Sequence, residues 1–175
     1  ASAYAKAYQE ILNFEKKQGI FFDYIFHASG TGATQAGLIC GHLLARDKKQ
    51  IVGILISSRE YERAVSIIET GMREYLKGLG KEFSMEDQKE IHLAREYTKG
   101  GYGQYDEEIE QCIREEFALN GVAMDGTYTG KAFLGMEHYI EDHQISGKKI
   151  LFIHTGGTPL FYDWLGTQKK DLGRL

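Results

Sequence analysis

A short loop of small and hydroxylated residues follows an apolar run near the start of the sequence. The run ends at Ala28, residues 29–34 form the loop (SGTGAT), and residues 35–38 open a segment with helical character. The unpaired N–H groups at a helix N-terminus attract anions, and glycines let a ligand approach the backbone closely. Because the hydroxyls of Thr31 and Thr34 add donors, the loop predicts a phosphate-binding site.

The loop departs from the two familiar nucleotide-binding patterns. A triphosphate-binding loop ends in Gly-Lys-Ser/Thr, whereas Gly32 is followed here by Ala33. The dinucleotide fingerprint needs a third glycine where this sequence has Gln35. A phosphate monoester bound without a metal or a lysine fits the loop best. The alternative is a tight strand-to-helix turn with no ligand.

Three further segments place polar side chains in or beside glycine-rich turns. LFIHTGGTP has Thr155 at the end of an apolar strand, directly before Gly156. DGTYTGKA has Tyr128 and Thr129 at a helix start, and GGYGQY has Tyr102 in a turn. Taken singly, each tyrosine is more typical of a surface or packing position than of a reactive one.

Strands and helices alternate along the chain. The predicted helices cover residues 4–17, 34–46, 59–79, 106–119, 129–143 and 158–165, with a short helix after residue 84, and the predicted strands cover 21–28, 49–58, 91–97 and 148–155. This order predicts a single α/β domain over residues 1–175, with a mostly parallel sheet flanked by helices. Ligands bind at the carboxyl ends of such strands. Two glycine loops fall there: the first is residues 29–34, and the second contains Gly156 and Gly157.

Composition and charge argue against several classes of partner. The chain has 175 residues and a net charge of −4, without a basic block, so we expect no nucleic-acid partner. No apolar run approaches the ~20 residues that span a bilayer, so we expect no membrane partner. Cys40 and Cys112 fall in predicted helices, which is typical of reduced, packed thiols in a cytoplasmic protein.

Taken together, the four segments resemble the D-cysteine desulfhydrase and 1-aminocyclopropane-1-carboxylate deaminase family of pyridoxal-phosphate enzymes. The matching motifs occur in order as SGTGATQAG, GYGQYDEEIEQCI, DGTYTGKAFLGM and ILFIHTGGTP. The resemblance implies the large-domain fold of fold-type II (tryptophan synthase beta-like) enzymes, the cofactor pyridoxal 5'-phosphate, a small amino-acid substrate and a homodimer. It implies phosphate contacts from Thr31, Gly32, Ala33 and Thr34. It also implies further cofactor contacts from Thr129, Thr155 and Gly156, with Thr155 at the pyridine nitrogen, and a substrate pocket with the catalytic residues Tyr102 and Tyr128.

The choice of reaction within the family depends on the residue beside the pyridine nitrogen. The deaminases place a glutamate after the tyrosine of the third motif, whereas Thr129 and Thr155 follow the desulfhydrase form. Because hydroxyls support the cofactor as an electron sink less than a carboxylate does, we predict β-elimination from a small amino acid such as D-cysteine. That reaction gives pyruvate, ammonia and a sulfur leaving group. Deamination of 1-aminocyclopropane-1-carboxylate and non-catalytic cofactor binding are the alternatives, and Gly126 and Thr127 replace the usual Pro-Val of the pocket wall.

The resemblance also implies that the lysine which forms an imine with the cofactor lies upstream of the matched region. The family gives Lys131 no such role, and the lysine pairs at 16–17, 48–49, 148–149 and 169–170 are typical of solvated faces or helix ends. We therefore expect this chain to be the C-terminal portion of a longer enzyme and to be inactive alone. It would associate with the missing N-terminal portion or form a homodimer.

Overall fold

The computed structural model describes residues 1–172, and the side chains of residues 1–167. The helices are α1 (Ser2–Gln18), α2 (Ala33–Ala45), α3 (Tyr61–Gly78), α4 (Met85–Gln88), α5 (Glu107–Asn120), α6 (Thr129–Asp142) and α7 (Thr158–Leu172). The strands are β1 (Tyr24–Ser29), β2 (Gln50–Leu55), β3 (His92–Ala94) and β4 (Ile150–Ile153). Each predicted element is present within the described range, although α7 continues past its predicted end at residue 165.

The four strands form one parallel sheet in the order β3-β2-β1-β4. Phe26 in β1 pairs with Val52 of β2 on one side and with Phe152 of β4 on the other. The α/β fold class with a parallel sheet is therefore confirmed. Because all four strands run the same way, the turns that follow them lie at one edge of the sheet.

Helices cover both faces of the sheet. Side chains alternate along a strand, so Ile25 and Ile51 belong to one face and pack with residues of α1, α2 and α3. Phe26 and Val52 belong to the other face and pack with residues of α6. Burial on both faces explains why β1 and β2 are nearly continuous apolar runs in the sequence.

The first turn of α2 is anchored to the sheet by a buried glutamine. Ser29 Oγ, at the end of β1, donates to Gln35 Oε1 at 3.0 Å. Gln35 Nε2 donates to the carbonyl oxygen of His92, in β3, at 2.6 Å. Since β2 lies between these two strands, the side chain crosses the sheet edge and fixes where α2 begins.

The prediction that the lysine pairs mark solvated faces or helix ends is wrong for Lys49. Its side chain is buried, and Nζ lies 2.9 Å from Glu15 Oε2 and 2.9 Å from Asp47 Oδ2. Its neighbour Lys48 is exposed, as predicted. Two adjacent lysines do not predict exposure here, because α1 places the carboxylate of Glu15, from a distant part of the chain, beside Lys49. The pair at 169–170 lies outside the residues whose side chains are described.

The two cysteines lie in helices, as predicted. Cys40 in α2 and Cys112 in α5 are both buried and unbridged, and burial raises the pKa of each thiol to about 12. Within the described range, no helix combines the length and the apolar character that crossing a bilayer requires.

Candidate functional site

A cavity of about 400 Å³ lies at the carboxyl ends of the strands. The turns after all four strands reach it, as expected for the ligand position of a parallel sheet. Its volume lies within the ~300–1,000 Å³ that is usual for small-molecule sites. The wall consists of Tyr4, Ala28, Gly30, Thr31, Thr34, Ser57, Arg59, Tyr102, Tyr128, Thr155, Gly156 and Gly157.

The first glycine loop presents the N-terminus of α2 to this cavity. Gly32 is the N-cap residue, with a left-handed φ of 80°, and α2 has no side-chain capping bond. The N–H groups of its first turn therefore have neither an intrahelical partner nor a capping oxygen. Thr31 and Thr34 line the cavity, while Gly32 is buried behind them and Ala33 is exposed. This arrangement suits an anion.

The second glycine loop meets the first at the same cavity. Thr155 and Gly156 follow β4 and belong to the wall, as do Thr31 and Thr34 after β1. The two loops come together because β1 and β4 are neighbours in the sheet, paired from Tyr24 to His27. A ligand could contact the hydroxyls of both loops.

Tyr102 and Tyr128 form a pair on the cavity wall. Their hydroxyls are hydrogen bonded, and their rings meet edge to face with centroids 5.6 Å apart. The hydrogen bond to Tyr102, with smaller contributions from burial and from Asp125, raises the pKa of Tyr128. One hydroxyl of the pair donates to the other, so the second can donate a hydrogen bond into the cavity.

A buried aspartate, which the sequence analysis missed, holds the start of α6. The carboxylate of Asp125 accepts hydrogen bonds from the backbone N–H groups of Thr127, Tyr128 and Thr129 at 2.8–3.0 Å. The hydroxyl of Thr129 also donates to Asp125 Oδ1, at 2.9 Å. Thr129 is fully buried and does not belong to the cavity wall. Its predicted contact with the cofactor ring stays a prediction.

Three residues of the cavity wall, namely Ser57, Arg59 and Tyr4, were missed as well. Ser57 Oγ is buried and has no hydrogen-bond partner among the described residues. Arg59 Nη1 donates to the carbonyl oxygen of Gly30 at 2.8 Å. Both follow β2, so the rule that strand ends carry site residues could have identified them. Tyr4 reaches the cavity from α1, and no local sequence signal points to it.

The lysine nearest to the predicted motifs has a structural contact. Lys131 is 1% exposed, and its Nζ donates to the carbonyl oxygen of Gly101, the residue before Tyr102. Burial lowers the pKa of its ammonium group, against smaller opposite effects of Asp106 and Asp125. Among the described residues, no lysine belongs to the cavity wall.

The chain is similar to known proteins over most of its length. The model of the family described as "Pyridoxal-phosphate dependent enzyme" matches residues 1–156. The 1-aminocyclopropane-1-carboxylate deaminase of Rhizobium rhizogenes is 31% identical over 153 residues, which are 86% of this chain and 44% of the relative. The Methylobacterium nodulans enzyme of that name is 29% identical over 153 residues, with the same coverage.

Two solved structures share the fold. One is described as a crystal structure of the ACC deaminase homologue, with a TM-score of 0.80 and 32% identity over 94% of this chain and 48% of that chain. The other is a threonine deaminase from T.th., with a TM-score of 0.53 and 16% identity over 88% of this chain and 56% of that one. The chain thus spans about half the length of the relatives that it matches.

Proposed function

Because the chain belongs to the family of pyridoxal-phosphate dependent enzymes, we propose that its cavity binds pyridoxal 5'-phosphate. The chain would supply this site to a longer enzyme of the 1-aminocyclopropane-1-carboxylate deaminase type. The observation that carries the proposal is the uncapped N-terminus of α2, which opens into the cavity between two hydroxyl-bearing loops.

The residues around the cavity fit the phosphate ester. Thr31 and Thr34 add hydroxyl donors to the free N–H groups of α2. The hydroxyl of Ser57 is buried without a partner among the described residues, which costs free energy unless a ligand oxygen satisfies it. Thr155, on the loop after β4, would then contact the pyridine ring through its hydroxyl.

When bound, pyridoxal 5'-phosphate supplies an electron sink for bonds broken at the α-carbon of an amino acid. The chain's own contribution is to hold the cofactor and to position protons. The hydroxyls of Tyr102 and Tyr128 are hydrogen bonded to each other, so the pair would offer a hydrogen-bond donor to the substrate at the cavity wall.

Deamination of 1-aminocyclopropane-1-carboxylate is the reaction that we propose first. The support is that curated relatives of about 30% identity carry that name, and that a solved structure of TM-score 0.80 is described as a homologue of such an enzyme. β-Elimination from D-cysteine is the second candidate. It is favoured by one observation: among the described wall residues there is no aspartate or glutamate, so a hydroxyl would face the ring nitrogen.

Ligand binding to this chain tests the cofactor proposal. Pyridoxine 5'-phosphate and pyridoxine differ only in the phosphate, and neither has the aldehyde that would react with surface lysines. Calorimetric titration should show tighter binding of the phosphate ester than of pyridoxine, and Thr34→Val should weaken binding of the ester. Thr70→Val, on the exposed face of α3, is the matched control. Equal binding of both ligands would refute the phosphate site.

Product analysis of the longer protein tests the reaction. Ring opening of 1-aminocyclopropane-1-carboxylate with loss of ammonia gives 2-oxobutyrate, whereas β-elimination from D-cysteine gives pyruvate. We expect 2-oxobutyrate from the first substrate. Pyruvate alone would select the second candidate, and neither product would reject both reactions.

A further inference from the structure

The cavity wall carries one charged side chain among the described residues, that of Arg59. Arg59 is half-buried and lies in the loop between β2 and α3. Nη1 is held by the carbonyl oxygen of Gly30, at the entrance of the first glycine loop. Within the described side chains, no carboxylate forms an ion pair with this guanidinium.

The electrostatics of the chain make this charge significant. The net charge is −4, and the first turn of α5 alone carries three glutamates, so the overall field repels a phosphate. A phosphate monoester dianion needs positive charge close by, and the partial charge of one helix end supplies only about half of an elementary charge. A guanidinium has five N–H donors, and the Gly30 contact uses one of them.

We propose that Arg59 is a cofactor-binding residue, whose guanidinium contacts the phosphate group seated on residues 30–34. This inference rests on the proposed function. The Gly30 carbonyl holds the guanidinium at the loop, and the remaining N–H groups would donate to the phosphate oxygens. Arginine suits this task because its planar fork can donate two parallel hydrogen bonds to a phosphate.

The alternative is a purely structural role, in which Arg59 only connects the loop after β2 to the loop after β1 through its hydrogen bond to Gly30. The two roles predict different ligand dependences. If Arg59 contacts the phosphate, replacing it weakens the binding of a phosphorylated ligand only. The contribution of Arg59 to that affinity also decreases as salt screens the charges. If the role is structural, replacing Arg59 changes the affinity for phosphorylated and unphosphorylated ligands alike.

Titration of variants with pyridoxine 5'-phosphate and pyridoxine separates the two roles. Arg59→Gln should weaken binding of the phosphate ester about 10- to 100-fold, the range expected for hydrogen bonds to charged groups. Arg59→Lys should recover part of this loss because it keeps the charge. Arg63→Gln, an exposed change of equal charge in the first turn of α3, should change nothing.

The outcomes for the inference and for the proposed function differ. If the unaltered chain prefers the phosphate ester and Arg59→Gln binds it equally well, the inference is wrong while the phosphate site stands. The inference is also wrong if the variant weakens both ligands equally, or if added salt leaves the affinity difference between the unaltered chain and the variant undiminished. If the unaltered chain shows no preference for the phosphate ester, the proposed function itself fails. Circular dichroism of each variant verifies folding.

Discussion

The buried carboxylate of Asp125 contacts both the start of α6 and the second glycine loop. Its removal should therefore lower the free energy of unfolding. The side chain is 1% exposed and accepts three backbone N–H groups, including that of Tyr128. Gly157 lies against it: a Cβ built on this glycine would overlap Asp125 Oδ1. The glycine also has a φ of 90°, in the left-handed region.

The magnitudes follow from these contacts. A hydrogen bond to a charged acceptor contributes about 1.5–3 kcal/mol, and such contributions are not additive. Because Asp125→Ala leaves several donors without an acceptor, it should lower the free energy of unfolding by about 3–5 kcal/mol. Gly157→Ala adds left-handed strain of about 1–2 kcal/mol and the overlap with the carboxylate.

A double-mutant cycle measures the overlap separately. Asp125→Ala removes the oxygen that the new Cβ would meet, so the double variant should be more stable than the sum of the single effects predicts, by about 1–3 kcal/mol. Gly156→Ala is the matched control, because Gly156 also has a positive φ but a Cβ there meets no atom within 4 Å. Its effect should add to that of Asp125→Ala.

Urea unfolding followed by circular dichroism gives the four free energies of each cycle. Additivity of the Asp125 and Gly157 changes within about 0.5 kcal/mol would refute the contact between them. A coupling of equal size in the Gly156 cycle would also refute it, because strain alone would then explain the result.

Three further predictions concern single buried positions. Lys49→Met should lower the free energy of unfolding by about 3–5 kcal/mol, because the buried Glu15 and the half-buried Asp47 lose their cation. Lys48→Met should stay within about 0.5 kcal/mol in the same urea assay. Burial lowers the pKa of His27 from 6.5 to about 4, so the unfolded chain binds a proton between these values that the folded chain does not. The free energy of unfolding should therefore fall as the pH drops from 6.5 to 4, by about 3 kcal/mol from this group. His27→Gln should reduce this dependence on pH, and an equal dependence in the variant would contradict the prediction. Gly32→Ala should weaken pyridoxine 5'-phosphate binding in calorimetry, because left-handed strain and a Cβ 2.9 Å from Ile68 Cγ1 displace the loop; unchanged affinity would contradict this.

The fold and the position of the cavity could be predicted because they depend on local patterns. An apolar strand, a glycine turn and a helix start each have a signature within about ten residues, as in residues 21–46. Parallel strands then place all following turns at one edge, whatever the side chains are. Ser57 and Arg59 satisfy the same rule, so the sequence contained the information to include them.

Other site features could not be predicted because they depend on contacts between distant parts of the chain. The burial of Lys49 requires Glu15, which lies on a different element. Tyr4 reaches the cavity because α1 packs along α2, and nothing near Tyr4 in the sequence records that packing. Periodicity identifies which face of a helix is buried, but not which atoms meet it.

Two threonines that the resemblance places beside the cofactor ring illustrate the difference. Thr155 lies in the loop after β4, one residue beyond His154, and belongs to the cavity wall. Thr129 begins α6, where its hydroxyl and N–H both bind the carboxylate of Asp125. A buried charged acceptor competes strongly for any donor beside it, so the Thr129 hydroxyl is already engaged within the protein. The hypothesis of a hydroxyl at the pyridine nitrogen therefore depends on Thr155, and the distinction between deaminase and desulfhydrase chemistry should be sought at that residue.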